Sequence, residues 1–342
     1  MGTTIEKRST GSDRVKAAID RVEPDLRRRF LQALAAVRTD KNLRHLAQLV
    51  EAGKYDEALA FVDGALTIFA DHAITARIYV GQSEAAWLAN SLDAAVSFDI
   101  TNVRAVQMMT QARLRLVQGL EGEARTVVRQ AMIDGLRAGL NPRQVAIGMR
   151  DSLGLTENLQ RAVENYRRLL TEDPREALSR TLRDRRFDRT VRRAASGDAT
   201  LTPEQIDRMV ARYRDRAIKY RAEMVARTES LRAVHEGADT LLEQAVGQGL
   251  LERRRLVSKW VTAGDHRVRD SHWLMSGQLR MLGDAFISGN GYALRYPGDP
   301  SAPASETIHC RCRKVTRVLA PGKVLDMQHN RVVEEQYFRL AA

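Results

Sequence analysis

The chain has 342 residues and carries 55 lysine and arginine residues against 43 acidic ones, which gives a formal net charge of +12. This excess of positive charge favours a polyanionic neighbour, nucleic acid before an anionic surface, but it does not indicate reading of a base sequence. Two cysteines exclude a disulfide framework. The polar start and the lack of a long apolar run predict neither a signal peptide nor a membrane segment.

The beginning of the chain is predicted to be a flexible arm over residues 1–12, because Ser, Thr and Gly are frequent there. Helical patterning follows. The apolar residues that recur at three- and four-residue intervals are Leu26, Phe30, Leu34 and Val37. This spacing predicts a helix with one buried face. The spacing of apolar residues is less regular over residues 79–102, which are predicted to hold a short strand or a loop.

Three predicted helix starts share one sequence pattern. Each has a small polar cap residue, then a proline, and Glu or Gln at the third helical position. They are Asn141-Pro142 with Gln144, Asp173-Pro174 with Glu176, and Thr202-Pro203 with Gln205. Gly154 before Thr156 marks a helix end followed by a new start. Residues 120–250 are therefore predicted to form a series of short and medium helices.

Arginines crowd a segment that is predicted to be a basic helix over about residues 175–193. The candidate nucleic-acid or partner contacts in it are Arg183, Arg185, Arg186, Arg189, Arg192 and Arg193. On a helix, the last five share a broad face that suits the phosphate oxygens of DNA. An acidic surface of a protein partner is an equal alternative. Phe187 is the sole aromatic residue there, so base stacking is not expected.

The character of the sequence changes after Gly249. Residues 255–262 and 308–315 are β-like, and glycines and prolines crowd the stretch between them. Residues 321–342 form a C-terminal tail, predicted either to reach a neighbouring surface or to fray. The expected fold is α+β, with a mainly helical N-terminal region over residues 13–200 and a small loop-rich α+β domain over residues 201–320.

Several separated motifs of this second region occur in the order of a known family. Residues 260–265 (WVTAGD) are followed by basic, histidine and glycine positions, then by residues 295–300 (RYPGDP) and 308–313 (IHCRCR). The signature residues are Trp260, Asp265, Arg267, Arg269, His272, Gly277, Pro297, Gly298, Cys310, Arg311 and Cys312. This set resembles the phage Mu F-like head morphogenesis family, and the resemblance covers roughly residues 120–318.

The resemblance implies a minor structural protein of a tailed-phage head that acts in capsid assembly, DNA packaging or DNA delivery. Its implied partners are the portal protein, major capsid or scaffold proteins, and double-stranded DNA bound without sequence preference. Its implied location is the capsid interior near the portal vertex, after assembly in the host cytoplasm. The alternative is an internal basic DNA-binding protein that is ejected with the genome.

No enzyme is expected, because the sequence has no phosphate-binding glycine-rich loop, no HExxH motif and no nucleophile elbow. No catalytic residue and no cofactor is therefore predicted. The two cysteines are interpreted as small buried thiols beneath Trp260, with His272 hydrogen-bonded inside the fold. The alternative is a zinc site formed by His266, His272, Cys310 and Cys312, which are allowed ligand types although Cys-x-Cys is a weak signal. A third hypothesis for the function of the chain is a zinc-dependent enzyme that uses His272 with the two cysteines.

Overall fold

The computed structural model describes residues 11–92 and 95–336. The predicted flexible arm lies outside the described residues as far as residue 10, and residues 11 and 12 already belong to the first helix. The helices are α1 (Gly11–Val37), α2 (Asp40–Glu51), α3 (Tyr55–Leu92), α4 (Val103–Arg137), α5 (Pro142–Ser152), α6 (Glu157–Glu172), α7 (Pro174–Ala177), α8 (Asp188–Ala195), α9 (Pro203–Gly247), α10 (Asp270–Trp273) and α11 (Ala304–Thr307). The strands are β1 (Leu256–Val261), β2 (Leu279–Met281), β3 (Phe286–Ile287), β4 (Ala293–Leu294), β5 (Arg313–Val318), β6 (Lys323–Asp326) and β7 (Arg331–Glu334). The predicted α+β class is confirmed.

The chain packs as two compact units, which are described separately. Unit 1 consists of the described parts of Met1–Arg27, Asp71–Leu114 and Met224–Ala342. Unit 2 consists of the described parts of Arg28–Ala70 and Arg115–Glu223. The helices α1, α3, α4 and α9 contribute residues to both. The boundaries drawn from the sequence at residues 12, 200 and 320 stay predictions.

Unit 2 is helical, and α5, α6, α7 and α9 begin where the sequence predicts. The prediction of short and medium helices is wrong for α9, which has 45 residues. Asn141 and Gln144 exchange side-chain and backbone hydrogen bonds of 3.0 and 3.1 Å, which closes a capping box at the start of α5. Thr202 and Gln205 do the same at the start of α9, at 3.3 and 3.0 Å. These caps satisfy backbone N–H groups that have no partner inside the helix, so local sequence fixes the helix starts.

Aromatic pairs lie in the core of unit 2. Phe30 of α1 packs edge to face on Phe69 of α3, with ring centroids 5.2 Å apart. Tyr166 of α6 stacks on Tyr213 of α9 at 4.3 Å. Such pairs add about 0.5–1.5 kcal/mol beyond the apolar area that they bury. The buried face predicted for the first helix is confirmed, since all four of its marker residues are buried.

Unit 1 is built on an antiparallel sheet of three strands in the order β2-β1-β5. Ser258 at the centre of β1 lies opposite Arg280 of β2 and Thr316 of β5. The hydroxyls of Ser258 and Thr316 are 2.9 Å apart across the strands. Beside the sheet, apolar side chains of α3, α4 and α9 form a buried cluster with the start of β1.

Two expectations about local structure are wrong, and the tail contains a hairpin that the sequence did not indicate, while its contact with a neighbouring surface stays a prediction. Residues 79–92 continue α3 as a helix, because Ala85 and Leu88 are buried at helical spacing, and only residues 95–102 are irregular. The tail forms a β6–β7 hairpin over residues 323–334. The second β-like segment becomes a strand only at Arg313, five residues later than predicted.

The predicted basic helix over residues 175–193 is also wrong. Helix α7 ends at Ala177, and α8 begins only at Asp188. Between them, the carboxylate of Asp184 accepts a hydrogen bond from the backbone N–H of Arg186 at 3.2 Å and caps a short 3₁₀ turn over Arg185–Phe187. A side chain that bonds to nearby backbone competes with the helix in this way. The arginines therefore lie on a turn and a short helix.

None of the helices in the described part of the chain combines the length and the apolar character needed to cross a bilayer.

Candidate functional site

Trp260 lies on β1 in unit 1 and is fully buried. Its ring is perpendicular to the imidazole of His272, with centroids 5.4 Å apart, and it also contacts Phe286 at 5.3 Å. The tryptophan thus forms one wall of the pocket that holds His272. This agrees with the sequence interpretation in which the thiols and the histidine pack beneath Trp260.

The two cysteines and His272 meet in this pocket. Cys310 and Cys312 lie in the segment before β5, His272 lies on α10, and each residue is 1% exposed. His272 Nδ1 is 3.4 Å from Cys310 Sγ and 3.5 Å from Cys312 Sγ. The structure therefore brings together three of the four ligands that the sequence proposed.

His266 is exposed and does not belong to the cluster, so the four-ligand set is corrected to three. The residue follows Asp265 in the turn before α10 and lies six residues before His272. Within residues 11–92 and 95–336, no other histidine, cysteine or carboxylate places a ligand atom among the three.

Glu306 of α11 is the residue of this site that the sequence did not indicate. It is buried, and its Oε2 lies 2.9 Å from His272 Nε2, on the opposite side of the ring from the sulfur atoms. Ser271 Oγ donates to the same oxygen at 3.0 Å, and Asn290 Nδ2 donates to Oε1 at 2.7 Å. Ser271 and Asn290 thus hold the carboxylate beside the imidazole of His272. No residue spacing in the sequence pairs Glu306 with His272.

The two thiols affect each other. The hydrogen bond from Cys312, with a further contribution from His272, holds the pKa of the Cys310 thiol well below its usual value although burial opposes this. The same hydrogen bond, together with burial, raises the pKa of Cys312. The sulfur of Cys310 thus loses its proton more readily, and the thiol of Cys312 donates the hydrogen bond to it.

The charged signature residues hold neighbouring loops together. Arg311 Nη2 donates to Asp265 Oδ2 at 2.5 Å, and Arg269 Nη2 donates to the carbonyl of Ile308 at 2.5 Å. Arg267 is exposed, and its backbone N–H donates to Asp265 Oδ1 at 3.1 Å. Asp265 therefore pairs with Arg311, and Arg269 contacts backbone instead of a carboxylate.

The glycine and proline positions of the signature shape turns. Gly277 (φ +85°) and Gly298 (φ +89°) have left-handed backbones that side chains disfavour. The carbonyl of Gly298, which follows Pro297, accepts a hydrogen bond from Arg232 Nε of α9 at 2.8 Å. This turn is thereby attached to α9 within unit 1 and has a structural role.

The arginines of residues 183–193 in unit 2 differ in their carboxylate partners. Arg183 donates two hydrogen bonds to Asp188, at 3.0 and 3.1 Å, and is only 17% exposed, so it holds the turn together. Arg186 pairs with Asp184 at 2.6 Å, and Arg192 lies 3.6 Å from Asp188. The hydrogen bond from Arg186 lowers the pKa of Asp184 to about 2.

Three other arginines of the same segment lie exposed on its surface. Arg185, Arg189 and Arg193 are exposed, and none of them has a carboxylate partner among the described residues. The two aspartates of residues 180–196 are already engaged by other guanidinium groups. Seven arginines against two aspartates leave this surface strongly positive.

The family comparison agrees with these motifs. The family described as Phage Mu protein F like protein matches residues 126–315, which is more than half of the chain. The chain belongs to this family, which indicates a bacteriophage head morphogenesis protein associated with the virion. No curated protein and no solved structure matches the chain.

Proposed function

We propose that this chain is a minor structural protein of a tailed-phage head, located in the capsid interior near the portal vertex and bound to packaged DNA. It serves capsid assembly, DNA packaging or DNA delivery by adhesion and does not turn over a substrate. The observation that carries the DNA contact is the set of three exposed arginines without carboxylate partners in unit 2, Arg185, Arg189 and Arg193.

Phosphate binding is the chemistry that this arrangement supports best. A guanidinium group presents donors in a planar fork that matches phosphate oxygens, and each phosphate contact releases condensed counterions from DNA. Because Asp184 and Asp188 are engaged by other arginines, they do not compete for the three free groups. Phe187 is half-buried, so it offers no free ring for bases. Binding is expected to be independent of base sequence.

Portal and capsid contacts are proposed from family membership, which indicates a head protein. The proposed partners are the portal protein and the major capsid or scaffold proteins, met in the host cytoplasm during assembly. An internal DNA-binding protein that leaves with the genome is the second candidate. It is favoured by the same arginines and predicts strong DNA binding with little affinity for the portal.

Catalysis by the Cys–His cluster is not part of the proposal. A nucleophile or a catalytic metal must be reached by its substrate, whereas His272, Cys310 and Cys312 are each 1% exposed. Their chemistry supports a role in holding the fold.

The DNA contact is tested by replacing Arg185, Arg189 and Arg193 together with Gln in the full chain. Binding to double-stranded DNA of unrelated sequences is measured by fluorescence anisotropy over a range of salt concentrations. If each arginine contacts one phosphate, the slope of log affinity against log salt falls by about three, and the affinity at low salt falls about tenfold or more.

A matched control removes the same charge from the same unit. Arg161, Arg168 and Arg212 are exposed in unit 2, and each pairs with a carboxylate on its own helix, at 2.6, 2.9 and 3.7 Å. Their replacement with Gln should leave most of the salt slope in place. If both triple variants lose the same DNA affinity, the effect comes from net charge alone and the specific DNA contact is wrong. If the variant at Arg185, Arg189 and Arg193 loses no affinity, this surface binds a protein partner instead.

A further inference from the structure

We propose that His272, Cys310 and Cys312 bind one zinc ion, which acts as a structural clamp inside unit 1. The ligand atoms are His272 Nδ1 and the two Sγ atoms, and all three lie within 4.8 Å of one another. Family membership does not enter this inference, which rests on the arrangement of the buried side chains.

The distances fit a tetrahedral ion. Zinc bonds of about 2.3 Å to sulfur and 2.0–2.1 Å to nitrogen, at the tetrahedral angle, place the ligand atoms about 3.5 Å apart. The two observed nitrogen–sulfur distances are 3.4 and 3.5 Å. The protein therefore already holds both edges at the length that the ion requires.

The surroundings of His272 match those of a metal ligand. Histidine ligands almost always donate their second ring N–H to a carboxylate, a carbonyl or water, which sets the tautomer and the ring orientation. Here Glu306 Oε2 is 2.9 Å from Nε2 and is itself held by Ser271 and Asn290. Glu306 is thus a positioning residue that acts through His272.

Charge and ligand type select zinc. Soft thiolates and an imidazole suit zinc rather than magnesium or calcium, which prefer oxygen ligands. Both thiols give up their protons on binding, and the two thiolates balance the charge of one Zn²⁺. This pairing offsets much of the cost of burying the ion. The three side chains leave the fourth tetrahedral position to a water molecule.

The clamp would join α10 to the segment that leads into β5. This region has short strands and many turns, so few regular hydrogen bonds hold its loops. A metal that closes a loop reduces the conformational freedom of the unfolded chain, as a disulfide does.

The zinc content of the purified full chain, prepared without chelators, is the direct test. Elemental analysis should find about one zinc ion per chain in the wild type and less than about a tenth of that in Cys312→Ser and in His272→Gln. The control is His266→Gln, which removes an exposed histidine six residues from His272 and should keep the metal.

A second measurement does not depend on whether the variants fold. The wild-type chain, stripped of metal and titrated with Co²⁺, should develop the intense thiolate-to-metal absorption bands of a sulfur-ligated tetrahedral ion. A wild type that contains no zinc and gives no such bands overturns the proposal. Zinc that persists in both ligand variants overturns it as well, because the ion would then lie elsewhere.

Discussion

Arg77 is a buried charged residue of unit 1 that pairs with two carboxylates. It lies on α3, is 1% exposed, and contacts Glu229 at 3.0 Å and Glu236 at 2.6 Å, both on α9. Tyr296 donates a further hydrogen bond to Glu236 at 2.8 Å. Arg77 thus compensates the charge of Glu236 and shares that of Glu229 with Arg232.

Replacing Arg77 with Gln should cost about 3–5 kcal/mol of unfolding free energy at neutral pH, because two buried carboxylates lose the guanidinium that they share. Burial alone would raise the pKa of Glu229, but Arg232 and Arg77 outweigh it and hold the pKa below the usual 4.5. Stabilisation from such a depressed pKa is complete above the unfolded value and is lost as pH falls through the folded value. The gap between wild type and variant should therefore shrink below about pH 4.5.

Urea unfolding of both proteins at several pH values measures this gap. Arg113→Gln is the control within unit 1, since Arg113 pairs with Asp71 at 2.7 Å with both side chains about half exposed. That change should cost less than about 1 kcal/mol at any pH. A loss of similar size in the two variants, or a gap that grows in acid, would contradict the description of Arg77 as a buried counter-ion.

At the residue scale, the sequence indicated the types of the clustered side chains better than their grouping. The Cys-x-Cys spacing and His272 identified three members, because ligand types are visible in a sequence. Glu306 was missed and His266 was wrongly included, since proximity in a loop-rich region depends on turns that no spacing rule describes. Arg183 was predicted to contact DNA together with the neighbouring arginines. Its ion pair with Asp188 gives it a structural role instead.

Among the elements, helices α3 and α9 approach each other closely at Gly237 in unit 1. A Cβ atom at this position would lie 2.7 Å from the carbonyl oxygen of Arg77 and 3.2 Å from the backbone nitrogen of Gly81. These are backbone atoms, which cannot rotate away as a side chain does. The absence of a side chain therefore permits the helix contact that also brings Arg77 to its carboxylates.

Gly237→Ala is predicted to lower the unfolding free energy by about 1–3 kcal/mol, because the helices must separate to admit the methyl group. Thermal unfolding followed by circular dichroism measures the effect. Gly247→Ala, at the exposed end of the same helix, has nothing within 4 Å of the added carbon and should be neutral or slightly stabilising. If both alanines stabilise the protein, the close approach is not real.

Helix starts were predicted correctly because capping is local chemistry. Asn141, Asp173 and Thr202 each accept a hydrogen bond from the backbone N–H three residues later. The predicted basic helix is interrupted for a related reason, since the side chain of Asp184 caps a short turn inside it. The tail hairpin was missed because its pairing, Val324 opposite Val333, lies in a short strand with weak alternation.

At the scale of the whole molecule, the predicted α+β class is confirmed. The two units combine segments that are distant in sequence, and helices α1, α3, α4 and α9 contribute residues to both. Periodicity identifies a helix but not the partners on which it packs, so this arrangement could not be read from the pattern. The signature after residue 260 was recognisable because its motifs keep their order.

The proposed function makes the chain a structural component of the phage head whose arginine surface faces packaged DNA. The most direct measurement is a reconstruction of DNA-filled heads without imposed symmetry, together with peptide mass spectrometry of purified heads. We expect the chain in these heads at low copy number, with density inside the capsid at the portal vertex and residues 185–193 next to DNA. A chain that is absent from mature and immature heads alike would contradict the account.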